Sequence, residues 1–394
     1  MSDHKYCVQS LKEKKISENA TYELFDFGEA LEQIYPLLQI IFENLPYEDL
    51  KTALLVNNTW NKYSKDELRK RNNASWLSLS RTKASQLTIQ KSNNFKYDSV
   101  AFALIFYNYH DIKLQKFICV HDEPVKRMTF SEYLINEIVP KDIDFWVFSC
   151  THVYSPMLSK GIGSNCSFTG LFIPKIPNIN VQQFITPFDK TDHIFEKSIS
   201  QEEHIHCILL FTLSYPNLIL KKFTKELFKR DNAEGIAIGG GVISNGIKPF
   251  QKDVTKRVFK SNTLFCIAFT EEKNNPAEFD AFSVVISYEV DFKQELINFK
   301  KQINLREHNF ALRICCAAKD VKDIEKTLFN EVFPNTFLVG LDVDGEIGRD
   351  KFQSWQPEED TPEKKKQKMR YCLCHQYTTI IVILSWGKKI GVAD

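Results

Sequence analysis

Long apolar runs are missing from this chain of 394 residues, and so is a secretory leader pattern. The first residues, MSDHKYCVQSLKEKK, contain no apolar core of the kind that a signal peptide needs. The longest apolar runs, such as residues 379–384, are far shorter than the about 20 residues that cross a bilayer. We therefore expect a protein of the cytoplasm and nucleus with no membrane partner.

An excess of charge of either sign is also missing. Lysine and arginine total 51, aspartate and glutamate total 50, and the formal net charge is +1. Nucleic-acid-binding proteins usually carry a clustered basic excess, so we expect no nucleic-acid partner. The densest basic run, residues 364–370, follows acidic residues and is typical of a solvated loop; a nuclear signal or a patch for an acidic partner is the alternative.

The ten cysteines follow no disulfide or metal-binding framework. In a reducing compartment we expect free thiols that act as small core residues. Cys372, Cys374 and His375 form a C-x-C-H sequence without the second ligand pair of a structural zinc site. His204 and His206 share one face of an expected strand, without an evident third ligand. We therefore predict no metal and no other cofactor.

No sequence motif for catalysis stands out. Glycines 239–241 lack the Lys and Ser/Thr of a phosphate-binding loop, so they predict a tight turn at a strand end. Gly345 and Gly348 likewise predict a turn, and a pocket lined by Glu346 is the alternative. Cys316 has no histidine in its motif to activate it, which favours a buried strand cysteine.

From residue 34 onward, apolar residues recur at helical spacing. The first helix carries Leu38, Ile41, Phe42 and Leu45. Pro46 ends it and opens a second helix, whose apolar positions are Leu50, Ala53, Leu54, Val56 and Trp60. Two short helices cannot bury both apolar faces by themselves. We expect a partner to cover one face; the alternative is a hairpin packed on the next domain.

Beyond a linker the pattern alternates between strands and helices, which predicts an α+β fold. The expected helices are 130–138, 292–303 and 321–332. The expected strands are 100–107, 144–150, 207–213, 236–238, 264–269, 283–290, 310–317, 337–341 and 378–386, with 264–269 and 283–290 paired and a Gly/Ser loop at 159–167.

Residues 36–60, PLLQIIFENLPYEDLKTALLVNNTW, resemble the F-box. The match rests on Ile41-Phe42, Leu45-Pro46, Asp49-Leu50 and the spacing from Val56 to Trp60; it departs at residues 33–36 and at Asn57, where Cys is common. The resemblance implies docking on the Skp-type adaptor of a Skp–cullin–F-box ubiquitin ligase. The implied adaptor contacts are Leu38, Ile41, Phe42, Leu45, Leu50, Ala53 and Trp60.

Most of residues 95–388 resemble the FIST domain of F-box/FIST-domain proteins. The segments that carry the likeness are 155–165, 239–245, 342–350 and 375–380. Residues 310–319 resemble a strand that usually ends in Cys-x-Gly-Arg, but here the end reads Cys316-Ala-Ala-Lys319. The implied substrate or ligand contacts are Ser155, Gly163, Asn245, Cys316, Glu346 and Thr378.

Together the two resemblances imply a substrate-recognition subunit that recruits target proteins for ubiquitination and performs no chemistry itself. A conjugating enzyme and the cullin–RING core would supply the transfer. The expected organisation is a disordered tail (1–30), an all-α F-box (31–80), a linker (81–95) and a two-part FIST region (96–230 and 231–394). The alternatives are a FIST-type small-ligand sensor without a ligase role, and an enzyme that uses Cys316 or Glu346.

Overall fold

The computed structural model describes most of the chain from residue 35 to residue 390. The described ranges are 35–81, 87–113, 117–118, 127–141, 143–156, 165–187, 198–215, 217–227, 229, 233–243, 246–250, 263–319, 322–352 and 373–390. The fold is α+β, as predicted. The chain divides into two compact units, Met1–Glu67 and Leu68–Asp394. The expected tail, 1–30, lies outside the described residues.

Three helices account for the described part of the first unit: α1 (Tyr35–Glu43), α2 (Tyr47–Ala53) and α3 (Asn58–Lys70), the last of which runs past Glu67. Pro46 separates α1 from α2 as predicted. The expected continuation of the second helix to Trp60 is wrong. The Asn57 side chain accepts a hydrogen bond from the Trp60 N–H at 2.8 Å, so it starts a new helix as an N-cap.

The second unit contains short and long helices. They are α4 (Tyr109–Lys113), α5 (Phe130–Tyr133, continued by a π-helical turn, Leu134–Ile138), α6 (Asn217–Leu227), α7 (Phe292–Gln302) and α8 (Lys322–Val332), with a 3₁₀ turn at Ala233–Gly235. The predicted helices at 130–138, 292–303 and 321–332 are confirmed within a few residues. In the described ranges no helix has both the length and the apolar character of a membrane span.

The strands of the second unit follow one another along the chain. They are β1 (Ser75–Arg81), β2 (Leu87–Lys91), β3 (Phe102–Asn108), β4 (Phe117–Ile118), β5 (Arg127–Met128), β6 (Asp144–Cys150), β7 (Val153–Tyr154), β8 (Asn165–Ile173), β9 (Asn180–Pro187), β10 (Glu203–Thr212), β11 (Ala237–Val242), β12 (Ile247–Phe250), β13 (Thr263–Glu272), β14 (Phe279–Ser287), β15 (Arg306–Cys316), β16 (Phe337–Val343), β17 (Glu346–Ile347), β18 (Cys374–His375) and β19 (Thr378–Lys389).

These strands form three mixed sheets and a small β4–β5 pair. Sheet 1 has the order β12-β6-β3-β8-β1-β2, sheet 2 the order β18-β17-β11-β10-β13-β9, and sheet 3 the order β14-β19-β15-β16-β7. The parallel pairs are β3–β6, β10–β11 and β15–β16, and helical segments lie between the two strands of each. This is the connection that parallel neighbours require, because a tight hairpin cannot join them.

One apolar core lies where the three sheets face one another, and it includes Trp146 of sheet 1, Phe211 of sheet 2 and Trp386 of sheet 3. Separate clusters join the other face of each sheet to its helices. Phe223 of α6 packs with residues of sheet 2, and Phe329 of α8 packs with residues of sheet 3. The sheets are therefore inner layers, buried on both faces, which explains their nearly continuous apolar sequences.

Several sequence-based boundaries differ from the structure. The expected linker, 81–95, includes strand β2. Strand β1, most of which was expected to belong to the F-box, lies in sheet 1 of the second unit rather than in the first unit, which we call the helical unit. The two expected halves, 96–230 and 231–394, interleave, because β12 pairs with β6 and β9 pairs with β13. Strands β13 and β14 are not partners, since β14 pairs with β19. The part of the Gly/Ser loop from residue 165 onward is strand.

Glycines 239–241 form the middle of β11, so the predicted turn is wrong. A Cβ atom on Gly239 would lie 2.4 Å from Val382 Cγ2 of sheet 3, and one on Gly241 would lie 2.7 Å from Val343 Cγ1. Gly240 has φ of +150°, and its Cβ would lie 1.8 Å from the Leu210 carbonyl oxygen. Close approach of the two sheets, together with this backbone conformation, requires glycine here.

We expect Gly240→Ala to lower the free energy of unfolding by at least about 3 kcal/mol, because the added methyl group meets a backbone oxygen that cannot move aside. Gly235→Ala is the matched control, since nothing lies within 4 Å of a Cβ there. Urea denaturation measures both variants. Equal stability of the two variants would contradict this account of β11.

Candidate functional site

Three of the six residues expected to contact a substrate or ligand meet at the junction of sheets 2 and 3. Cys316 ends β15, Thr378 begins β19, and Glu346 begins β17. The Thr378 hydroxyl donates to Glu346 Oε2 at 3.2 Å, and the Cys316 thiol is near enough to the same carboxyl group to influence its pKa. All three residues are buried. We call this group the Glu346 cluster.

Strand pairing fixes the backbone of Glu346 on both sides. Glu346 pairs with Gly241 of β11 on one side and with His375 of β18 on the other. The flanking glycines are covered: a Cβ atom on Gly345 would lie 2.8 Å from the Tyr215 ring, and one on Gly348 would lie 2.5 Å from Ile380. The predicted turn comprises Asp344 and Gly345, and Glu346 itself lies in a strand.

Burial dominates the electrostatics of the cluster. It raises the pKa of the Glu346 carboxyl, and the nearby Cys316 thiol, the backbone of Glu346 and the Thr378 hydroxyl and backbone only partly oppose this rise. Burial, with the neighbouring Glu346 carboxyl, also raises the pKa of the Cys316 thiol. A thiol in this state is protonated at neutral pH and is a poor nucleophile, which argues against an enzyme that uses Cys316.

The second oxygen of Glu346, Oε1, is buried and has no hydrogen-bond partner among the residues that the structure describes. Leaving a buried polar atom unpaired costs about 1–3 kcal/mol. The strand pairing with Gly241 and His375 fixes the main chain of Glu346, and its side chain is fully buried. Ionisable groups whose pKa is shifted by burial, as that of Glu346 is, are more frequent at functional sites than elsewhere.

A second polar network lies close by, between sheet 3 and α8. Arg313 of β15 is fully buried, and its Nε donates to Glu325 Oε2 of α8 at 2.8 Å while Nη1 contacts Asp342 Oδ1 of β16 at 3.3 Å. Lys319 Nζ donates to Glu325 Oε1 at 2.8 Å. The Tyr154 ring covers the Arg313 guanidinium at 4.1 Å. The charges of Arg313 and Lys319 balance those of Glu325 and Asp342. Because Glu325 lies on α8, the ion pairs join this helix to sheet 3.

Of the other three residues expected to contact a substrate or ligand, the structure describes only Ser155, which is not part of the Glu346 cluster. Ser155 is buried and its hydroxyl hydrogen-bonds the Ser78 hydroxyl at 2.8 Å, which ties the end of β7 to β1. Gly163 and Asn245 lie outside the described residues, as does Cys372 of the C-x-C-H sequence. The seven cysteines that the structure describes are free thiols.

Sequence reasoning missed three exposed tyrosines around the cluster. Tyr215 is 57% exposed, Tyr288 60% and Tyr377 58%. The Tyr215 ring lies over Gly345 and its hydroxyl donates to the Asp344 carbonyl oxygen. Tyr377 directly precedes Thr378, and its carbonyl oxygen accepts from the Tyr288 N–H at 3.1 Å. Tyr377 lies in the FIST-like segment 375–380. Tyr215 and Tyr288 lie in none of the FIST-like segments, and only the fold brings them to this surface.

The histidine pair of β10 faces a carboxylate on β13. His206 Nε2 lies 3.1 Å and His204 Nδ1 3.7 Å from Glu271 Oε1. Burial lowers the pKa of His206, and Glu271 opposes the change. Glu271 Oε2 also accepts from the Ala277 N–H at 2.7 Å. Within the described ranges, no group of three or more His, Cys, Asp or Glu side chains is arranged to hold a metal ion.

The residues expected to contact an adaptor fall into two sets. Leu38, Phe42, Leu50 and Ala53 are buried, while Ile41, Leu45 and Trp60 are half-buried. The Phe42 and Trp60 rings meet edge to face, with centroids 5.2 Å apart. The four buried residues are thus not available to a partner in this conformation, a correction to the expected contacts. The exposed apolar side chains are Leu37, Ile40, Leu55 and Val56.

Comparison with known proteins adds no family assignment. No known protein-family model matches the chain. A search of curated proteins likewise gives no match.

We expect the stability difference between Glu346→Gln and the unsubstituted protein to depend on pH. The raised native pKa means that the folded state holds a proton that the unfolded chain releases above about pH 4.3. The unsubstituted protein therefore loses stability as pH rises from there through the native pKa of Glu346, and Glu346→Gln does not. Urea denaturation at a series of pH values measures this. Exposed Glu289 supplies the control variant, Glu289→Gln, and parallel curves for all three proteins would contradict the assignment.

We expect Arg313→Ala to lower the free energy of unfolding by about 3–5 kcal/mol, because it leaves Glu325 and Asp342 buried without their cation. Lys293→Ala removes an exposed ion pair with Glu331 and should cost about 0–1 kcal/mol. Chemical denaturation compares the two. A loss for Arg313→Ala as small as that for Lys293→Ala would show that the network is not structural.

Proposed function

We propose that this protein is the substrate-recognition subunit of a Skp–cullin–F-box ubiquitin ligase, acting in the cytoplasm and nucleus. In this proposal the helical unit docks on the Skp-type adaptor and the α+β unit recruits the target protein. The protein is not an enzyme in this role. It raises the effective concentration of the target near the conjugating enzyme that the cullin–RING core holds.

The observation that carries the proposal is the exposed apolar surface of the helical unit. Ile40 is 55% exposed and lies three residues after exposed Leu37, so the two share one face of α1. Leu55 and Val56, 85% and 56% exposed, lie in the turn between α2 and α3. Single exposed apolar residues are ordinary, but two on one face of α1 and two in a turn less than twenty residues later favour a partner surface.

The division of the chain also supports the proposal. The helical unit ends at Glu67, and the remaining chain forms a compact unit with its own apolar core. A receptor of this class needs one surface for the ligase and another for the target. The three exposed tyrosines beside the Glu346 cluster offer the second surface, since tyrosine is enriched at the centres of protein interfaces.

We expect Ile40→Asp and Val56→Asp to abolish co-purification of the full chain with the Skp-type adaptor and cullin, because each places a charge in the apolar contact. Both positions are exposed, so both variants should keep the fold and the unfolding temperature of the unsubstituted protein.

The matched control is Tyr288→Asp, which changes an equally exposed large side chain in the other unit. It should keep adaptor binding and, if the tyrosine surface recruits targets, lose ubiquitination of captured proteins. Failure of the unsubstituted chain to bind the adaptor would overturn the proposal, and so would equal loss of adaptor binding in all three variants.

A further inference from the structure

Strand β2 is an open edge of sheet 1. It pairs with β1 on one side, and within the described part of the chain no group hydrogen-bonds its other side. The Ser92 N–H donates to the Trp76 carbonyl oxygen of β1 at 3.0 Å. Because hydrogen-bonded and non-bonded residues alternate along an antiparallel pair, the main-chain N–H and C=O groups of Leu87, Ile89 and Lys91 point away from the sheet.

The other edges of the three sheets are shorter or partly covered. Strands β7 and β18 have two residues each, and β12 contains Pro249, which lacks an N–H. The Lys351 N–H donates to the Ser283 carbonyl oxygen in the middle of β14, and Thr186 of β9 makes a further interaction. By contrast β2 contains no proline, and its one charged residue, Lys91, is its last. Such an edge is a surface on which a further strand can pair.

The side chain of Ile89 lacks cover at this edge. Ile89 pairs directly with Leu79 of β1, which is 6% exposed and belongs to the apolar cluster between sheet 1 and α5. Directly paired residues lie on the same face of a sheet, so Ile89 extends that cluster to the edge. It is nevertheless 58% exposed. A strand that pairs with β2 completes the cluster if it places an apolar residue beside Ile89.

The sequence of β2 suits pairing with a second copy of itself. In an antiparallel pair with a two-fold axis at Ile89, that residue meets its own copy, and pairs of β-branched residues stabilise a sheet. Thr88 pairs with Gln90, and Lys91 pairs with uncharged Leu87, so no like charges are opposed. The same three residues point outward on both strands, so each outward pair exchanges both main-chain hydrogen bonds. A two-fold interface requires this self-complementarity.

We propose that β2 joins two copies of this chain. The two β2 strands pair antiparallel with Ile89 on the two-fold axis, and the two copies of sheet 1 become one continuous sheet. The contact uses neither the apolar side chains of the helical unit nor the Glu346 cluster, so it does not depend on the ligase role. The dimer presents each of those surfaces twice.

Sedimentation equilibrium of the full chain measures the association directly. We expect a monomer–dimer equilibrium, and we expect Ile89→Lys to raise the dissociation constant at least about tenfold, because it opposes two positive charges on the axis. Ile324→Lys is the matched control, since Ile324 of α8 is 62% exposed. Both variants should keep the unfolding temperature of the unsubstituted monomer. A chain that stays monomeric at its highest soluble concentration, or a dimer that Ile89→Lys weakens no more than Ile324→Lys, would overturn the proposal.

Cysteine cross-linking tests the register of the pair. Hydrogen-bonded antiparallel partners have Cα atoms about 5.5 Å apart, which suits a disulfide bond. Ile89→Cys should therefore give a covalent dimer under mild oxidation, and the unsubstituted chain controls for its ten native cysteines. Lys91→Cys should not cross-link, because its two copies lie at least about 13 Å apart in this register. Equal cross-linking of the two variants, or none in Ile89→Cys, would overturn the pairing and leave the edge to an extended segment of a different protein.

Discussion

The close approach of sheets 2 and 3 along glycines 239–241 is the constraint on which the candidate site depends. Without side chains there, β11 lies directly against Val382 and Val343 of the neighbouring sheet. That contact brings β17, which pairs with β11, next to the ends of β15 and β19. Glu346 therefore meets Cys316 and Thr378 although they are 30 and 32 residues away in sequence. A larger residue at the contact would move Glu346 away from Cys316 and Thr378.

The buried ion network performs a complementary task on the same sheet. Arg313 joins β15 to α8 through Glu325 and to β16 through Asp342, and Thr379 links Glu325 to the start of β19. Because Thr379 follows Thr378 and Lys319 lies three residues after Cys316, the network fixes both strand ends that contribute to the Glu346 cluster. Polar groups thus hold the edge of the site rigid, while apolar packing holds the layers together.

The sequence was sufficient for local structure and insufficient for the assembly of the sheets. Apolar periodicity located α7, α8 and most of the long strands, since each element buries its own pattern. The prediction of a turn at glycines 239–241 was wrong, because glycine is required both in tight turns and in strands that pack closely against another sheet. Apolar periodicity also failed at Asn57, whose capping ends the expected helix, and at the pairing of β13 and β14, which only the fold determines. Of the site, Cys316, Glu346 and Thr378 were predicted by resemblance, and Tyr215 and Tyr288 were not. The F-box and FIST resemblances themselves stay predictions.

Hydrogen–deuterium exchange of the full chain, with and without the Skp-type adaptor, tests the central claim of a docking unit separate from a recognition unit. The account predicts that the adaptor slows exchange in residues 35–60, which carry the exposed apolar side chains Leu37, Ile40, Leu55 and Val56, and leaves β15, β17 and β19 unchanged. Protection confined to the α+β unit, or no protection at all at saturating adaptor, would contradict it.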